Sequence, residues 1–177
     1  MTKTLTLYSS ARPDGNTFKL INSLSRLIPT EICYLDSLDI AQYDYLYRHQ
    51  NDDFIEVINK MLRVDIIFFA SPVYWYSMTP AFRRFFDRFT DLTELPDLKL
   101  KGKQLRNKSF YLMATSASQK LPSSFIYPVE TTLEYLGWPF FETLHINCKG
   151  GYDEVTALSS LQPLVAKLRD SVKVTNT

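Results

Sequence analysis

Cysteine is nearly missing from these 177 residues: Cys33 and Cys148 are the only two, far apart and outside any C-x-x-C spacing. So few thiols cannot form a disulfide framework, and they read as reduced side chains of a cytoplasmic protein. Histidine is equally scarce. His49 and His145 stand alone, with no H-x-x-E-type partner, so no metal site is expected. No apolar run approaches the roughly 20 residues of a membrane span. The opening MTKTLTLYSS has no apolar stretch followed by a small-residue cleavage site, so neither a membrane anchor nor a secretory signal is expected. Charge of one sign is missing too, since 20 Lys+Arg against 19 Asp+Glu leave a formal charge of +1. That balance lacks the basic footprint of a nucleic-acid binder.

What remains is an ordinary globular mixture, 45% hydrophobic and 22% charged, able to bury a core without staples. One domain over residues 1–177 is expected, with a frayed tail from about residue 171. Aromatics are plentiful, at 12 Phe, 11 Tyr and 2 Trp. Nine of them fall between Phe68 and Phe89.

Five short β-rich segments recur: Thr4–Tyr8, Glu31–Leu35, Asp65–Ser71, Lys108–Thr115 and Phe140–Ile146. The third and fourth are continuous apolar runs, as expected of strands covered on both faces. Helical spacing lies between them, at Leu20, Leu24, Leu27 and Ile28, at Phe54, Ile58, Met61 and Leu62, and at Phe82, Phe85, Phe86 and Phe89. A fourth helix is expected over Ser124–Leu136, ended by Gly137. A fifth is expected over Asp153–Arg169, kinked or broken at Pro163. Such alternation predicts βαβ units, a parallel α/β sheet and helices on both faces. In open sheets of this kind, ligands bind beyond the carboxyl ends of the strands.

The first strand runs into SSARPDGNT and then a helix. Ser9, Ser10 and Thr17 supply hydroxyls, Asn16 an amide and Arg12 a guanidinium, at the positive end of a helix dipole. Gly15 is expected to permit positive φ and close approach. This donor set suits one phosphate of a mononucleotide. The sequence has neither the G-x-x-x-x-G-K-[ST] nor the G-x-G-x-x-G loop. The plainer reading is a turn at Pro13–Gly15 with Asn16 or Thr17 as helix cap.

After the third strand comes SPVYWYSMTP. Tyr74, Trp75 and Tyr76 form a poor solvent-facing turn, so a planar heterocycle or a second subunit is expected to cover them, and at least one ring to pack beneath neighbouring helices. Thr79 can cap the following helix and Pro80 fits its first turn. Arg83, Arg84, Asp87 and Arg88 read as its solvated face, with Arg83 a candidate contact for an anionic cosubstrate. The phenylalanine face is available to the core or to a second copy.

Together, SSARPDGNT and SPVYWYSMTPAFRRFFDRF, at this separation and with the D-I-I-F-F-A-S-P-V-Y stretch, resemble the NADPH-dependent FMN reductase family of the flavodoxin-like fold. The resemblance covers about Thr4 to Arg169. It implies a flavodoxin-like three-layer sandwich with strand order 2-1-3-4-5, bound FMN, NAD(P)H as cosubstrate and a homodimer. It further implies that Ser9, Arg12, Asn16 and Thr17 hold the FMN phosphate, with the backbone of Ser10 and Gly15. Pro72, Val73, Tyr74 and Trp75 would line the flavin ring, with Tyr76 and Ser77 nearby and Thr115, Ser116 and Ala117 completing the site. Family members often carry glycines in that last loop, and this chain has none there.

The activity implied is hydride transfer from NAD(P)H through FMN to a small acceptor such as a quinone, an azo compound or free flavin, with no catalytic acid or base from the protein. Two alternatives stay open. One is an electron carrier, which the charge of +1 opposes because such carriers are usually acidic; the other is a non-catalytic binding protein. His49 and His145 read as structural. Cys148, followed by Lys149, hints at a slightly lowered thiol pKa, but an ordinary thiol is the preferred reading.

Overall fold

The computed structural model describes residues 3–49 and 51–174. Parallel strands need long crossovers, and the chain supplies helices for each one. The strands are β1 (Thr4–Tyr8), β2 (Glu31–Tyr34), β3 (Ile66–Pro72), β4 (Ser109–Ser116) and β5 (Phe140–Asn147). The helices are α1 (Asn16–Leu27), α2 (Phe54–Leu62), α3 (Pro80–Asp87), α4 (Asp91–Glu94), α5 (Pro96–Gln104), α6 (Ser123–Leu136) and α7 (Glu154–Val174). All neighbouring strands pair in parallel, in the order β2-β1-β3-β4-β5.

Every residue of β1 and β3 is buried, because successive side chains point to opposite faces and both faces are covered. Leu5, Leu7, Ile67 and Phe69 join the core that contains residues of α2, α3 and α6. Ile66, Phe68, Ala70 and Tyr8 join the core made with α1 and α7. Three layers result, as the alternation of segments predicts.

The phenylalanines of α3 and of the turn after it lie inside one subunit. Phe82, Phe85, Phe86 and Phe89 are all buried, which decides for the core over a second copy. Phe69 meets Phe82 and Phe86 edge-on with ring centroids 5.7 and 5.2 Å apart. Phe89 continues to Trp138 at 5.0 Å, which stacks on Phe110.

Arg88 also departs from expectation. It is 2% exposed rather than solvated. Its guanidinium bonds Asp91 at 2.7 Å, pairs with Asp52, donates to the carbonyl oxygen of His49 at 3.0 Å and lies over the Phe54 ring. One side chain thus ties α2, the start of α4 and the segment after β2 together. The register of α3 puts Arg88 one turn beyond Arg84, where the chain tightens into a 3₁₀ turn and rotates it inward.

Helices α4 and α5 lack an amphipathic signature in the sequence. Gly102 explains their packing, because a Cβ there would sit 3.0 Å from the carbonyl oxygen of Leu92. The Gly102 carbonyl also accepts the Trp138 indole N–H at 2.9 Å. Gly137 closes α6 in the left-handed conformation, as expected. Pro163 does not break α7, whose buried Leu161, Leu164, Val165 and Leu168 hold it on the sheet. That helix reaches Val174; the rest of the expected frayed tail, 175–177, lies outside the described residues.

Removing Arg88 leaves Asp52 and Asp91 buried and uncompensated. Arg88→Ala is expected to cost about 3–5 kcal/mol of unfolding free energy, measured by urea denaturation. Arg88→Lys should recover little, since an ammonium cannot reproduce the planar fork.

Candidate functional site

The carboxyl ends of β1, β3 and β4 open onto a cavity of about 270 Å³. Its lining includes Ser10, Arg12, Gly15, Asn16 and Thr17 from the loop after β1. Pro72, Val73 and Tyr74 come from the end of β3, and Thr115, Ser116 and Ala117 from the end of β4. Three segments far apart in sequence therefore meet where the parallel topology directs them. Cys148, after β5, also lines the cavity. Nothing in the sequence points to it, because only strand pairing carries the end of β5 to Ser116; the Cys148 N–H donates to the Ser116 carbonyl at 2.6 Å.

Four expected residues lie outside that lining. Ser9 is fully buried, and its hydroxyl pairs with that of Thr79, the N-cap of α3. Trp75, Tyr76 and Ser77 belong to a tight turn in which the Tyr74 N–H donates to Ser77 and the Ser77 N–H to Tyr74. Trp75 and Tyr76 occupy the turn's two central positions at φ of 47° and 65°, a region that side-chain-bearing residues seldom adopt. The turn turns its rings outward. Trp75 is 93% exposed, Tyr76 64% and Tyr74 40%, so no ring of this trio is buried beneath a helix as expected.

The loop after β1 differs in detail from its sequence reading. Gly15 is the N-cap of α1, at φ −70°, so positive φ is not what it contributes. It contributes space: a Cβ there would lie 3.3 Å from the Arg12 carbonyl oxygen and 3.7 Å from the Ser10 hydroxyl. Neither Asn16 nor Thr17 caps the helix, and no side chain does. The first-turn N–H groups of α1 thus lack the side-chain acceptor that caps commonly supply, beside a cavity holding a guanidinium and an amide.

Part of the expected donor set is already engaged. The Ser10 N–H donates to the Asp36 carboxylate at 3.0 Å, and the Tyr34 hydroxyl donates to the Ser10 carbonyl at 2.8 Å. The end of β2 therefore clamps the Ser10 peptide from both sides, and this corrects the role given to its backbone N–H. Thr17 shares a hydrogen bond of 2.8 Å with Thr115, joining α1 to the end of β4.

The loop after β4 has no glycine and needs none for conformation, since none of its residues takes positive φ. The Ser116 hydroxyl holds it by accepting the Ser118 N–H at 3.1 Å and pairing with His145 Nε2 at 2.8 Å. Burial pushes the His145 pKa below its ordinary value, favouring the neutral ring. Burial pushes the Cys148 thiol up, and Lys19 opposes this only in part. The slight lowering that Lys149 hints at in the sequence is therefore not what the structure gives. Among the described residues no group of three or more His, Cys, Asp and Glu could hold a metal ion, and no helix is long and apolar enough to cross a membrane.

The cavity suits a phosphorylated planar ligand. Its polar end carries Arg12, Asn16 and the open first turn of α1, in a cradle that a Cβ at Gly15 would crowd. Its other walls come from Pro72, Val73 and the half-exposed Tyr74 on one side and from Thr115, Ser116 and Ala117 on the other. FMN has both parts, a phosphate and a flat ring, and the residues present fit it.

Known proteins resemble the chain in sequence and in fold. The chain is 26% identical over 118 residues to YwqN of Bacillus subtilis (strain 168), whose name places it among NAD(P)H-dependent FMN-containing oxidoreductases. That match spans 63% of this chain and 65% of the relative, just under two thirds of the relative's length. Among solved structures, the Trp repressor binding protein of Bacillus subtilis superimposes with a TM-score of 0.71 at 21% identity, covering 90% of this chain and 98% of that one. General stress protein 14 of Treponema denticola, solved in complex with FMN, gives 0.65 at 16% identity, with 95% and 98% covered. These likenesses show the shared flavodoxin-like fold. Residues 2–146 match the family described as NADPH-dependent FMN reductase, and with most of its length accounted for in this way, the chain belongs to that family.

Proposed function

We propose that this protein is an FMN-dependent NAD(P)H oxidoreductase acting on a small acceptor such as a quinone, an azo compound or free flavin. The observation that carries this reading is the pairing, in one cavity, of an uncapped helix N-terminus beside Arg12 and Asn16 with walls from the ends of β3 and β4. FMN is the cofactor of the family and NAD(P)H its cosubstrate. When bound, FMN supplies two-electron exchange between a nicotinamide and an acceptor, which no side chain here can perform.

The chain's own part is to bind, orient and exclude water. Arg12, Asn16 and the first-turn amides of α1 hold the phosphate, and the Ser10 hydroxyl adds a donor. Thr17 works through Thr115, fixing the helix to the sheet. Ser9 positions rather than binds, by anchoring the Thr79 cap. Pro72, Val73 and Tyr74 form one wall of the ring site, and Thr115, Ser116 and Ala117 another. Trp75, Tyr76 and Ser77 form its outer rim. No side chain acts as nucleophile, acid or base.

A homodimer belongs to the same reading. Trp75 and Tyr76 are too exposed beside the cavity for a lone subunit to shield bound FMN from water. The chain is taken as one flavodoxin-like domain. Cys33 and Cys148 are unpaired, as suits the reducing cytoplasm.

The purified protein should be yellow, or gain a flavin spectrum and a thermal upshift on adding FMN. NAD(P)H oxidation should require FMN and accelerate with a quinone. A protein that stays colourless and takes up no FMN would refute the proposal. Arg12→Ala and Asn16→Ala should each weaken FMN by roughly ten- to a hundred-fold, as expected for lost charge-assisted hydrogen bonds. Riboflavin titrated in parallel should change little; equal losses for both ligands would place these residues away from the phosphate.

A further inference from the structure

A second and larger hollow lies beside α3. It measures about 560 Å³, within the range of about 300–1,000 Å³ usual for small-molecule sites. Tyr43 and Tyr45, from the segment after β2, and Arg83 and Arg84, from α3, line it together. The two tyrosine rings meet edge-on with centroids 5.1 Å apart, and Tyr45 is 83% exposed.

The guanidiniums are held but not consumed. Arg84 Nη1 donates to the Ile40 carbonyl at 3.1 Å, which fixes the plane of the fork and leaves its remaining N–H groups for a ligand. Arg83 pairs with Asp87, the acidic residue of this lining, at 2.7 Å. Both members of that pair are well exposed, and such pairs contribute little and yield readily to a stronger anion.

The hollow and the cavity at the strand ends are neighbours in the fold, separated by packed protein. Arg84 also lines a small gap of about 100 Å³ together with Asp36. Asp36 in turn accepts the Ser10 N–H, and Ser10 lines the strand-end cavity.

We infer that this hollow is a second binding site, taking the phosphorylated adenosine end of NADPH. Tyr43 and Tyr45 offer faces for the purine. Arg83 and Arg84 address the phosphate carried on the adenosine ribose, the group that NADH lacks. The inference rests on the reading above that NAD(P)H is the cosubstrate, and it assigns the cosubstrate preference to four residues outside the FMN cavity.

The test titrates 2′,5′-ADP and 5′-AMP into the full chain by calorimetry, with and without FMN. The hollow should take 2′,5′-ADP at least about ten-fold more tightly than 5′-AMP, the smaller end of what a charged hydrogen bond contributes. Arg83→Ala with Arg84→Ala should abolish that difference while FMN affinity stays unchanged. Because Arg84 also braces Ile40, Tyr45→Ala serves as an independent variant at an exposed position, expected to weaken both nucleotides by about five-fold or more. In the FMN-loaded protein the double variant should raise KM for NADPH about ten-fold, narrowing the gap to NADH. The inference fails if 2′,5′-ADP does not bind, or binds the double variant as it binds the parent chain. Absence of FMN uptake or of NAD(P)H turnover would instead refute the functional reading, while the 2′,5′-ADP titration would still decide the fate of the hollow.

Discussion

Burial of β3 on both faces is the constraint on which the rest of the structure depends. Seven consecutive residues, Ile66–Pro72, are hidden, so their backbone groups must pair on both edges, with β1 and with β4. Their side chains must then be covered by helices above and below. Phe69 on one face gathers Phe82, Phe86 and Phe110, while Phe68 on the other meets Tyr111. Parallel pairing forces the chain to cross back over the sheet between strands, and every loop at the carboxyl ends then faces the same way. The cavity is a geometric consequence of that arrangement.

Within the cavity, much of the polar inventory is spent on rigidity. The Ser10 peptide is gripped by Asp36 and Tyr34; Thr17 and Thr115 bind each other; Ser116 is shared by Ser118 and His145. Such contacts take donors away from a ligand. They also set the donors that remain, notably Arg12, Asn16 and the uncapped first turn of α1, in a fixed frame, and preorganisation of this kind reduces the entropy lost on binding. Asp36 has a second consequence, since its charge beside the phosphate loop is one that a bound anion must meet.

The segment after β2 shows how much one buried charge can organise. It has little regular structure, yet Arg88 reaches it through the carbonyl oxygens of Ala41 and His49 and through Asp52. Arg84 holds Ile40 in the same way. Two arginines of the α3 region thus fix the stretch that carries Tyr43 and Tyr45, and the second hollow exists because of them. In the sequence Arg83, Arg84 and Arg88 look alike, as three cations in RRFFDR. The difference is exposure: Arg83 is open to solvent, Arg84 half-buried and Arg88 sealed.

The sequence by itself determined the alternation of strands and helices, the double-sided burial of β3 and β4, and the loops that would matter. These properties are local, written in periodicity, in runs such as DIIFFAS and in caps such as Thr79 and Gly137. Eleven of the fifteen expected site residues line the cavity because the parallel topology alone places the ends of β1, β3 and β4 side by side. Tertiary structure decided what depends on partners distant in the chain. Ser9 turned away to Thr79, Cys148 arrived beside Ser116, Arg88 went inside to meet Asp52, and the phenylalanines of α3 and of the turn after it were consumed by Phe69 and Trp138 rather than left for a second subunit. Gly15 is needed for the room it leaves and not for its dihedral freedom, a distinction that only packed neighbours can make. Burial and pairing are settled by the sum of contacts across the fold, and no window of sequence contains that sum.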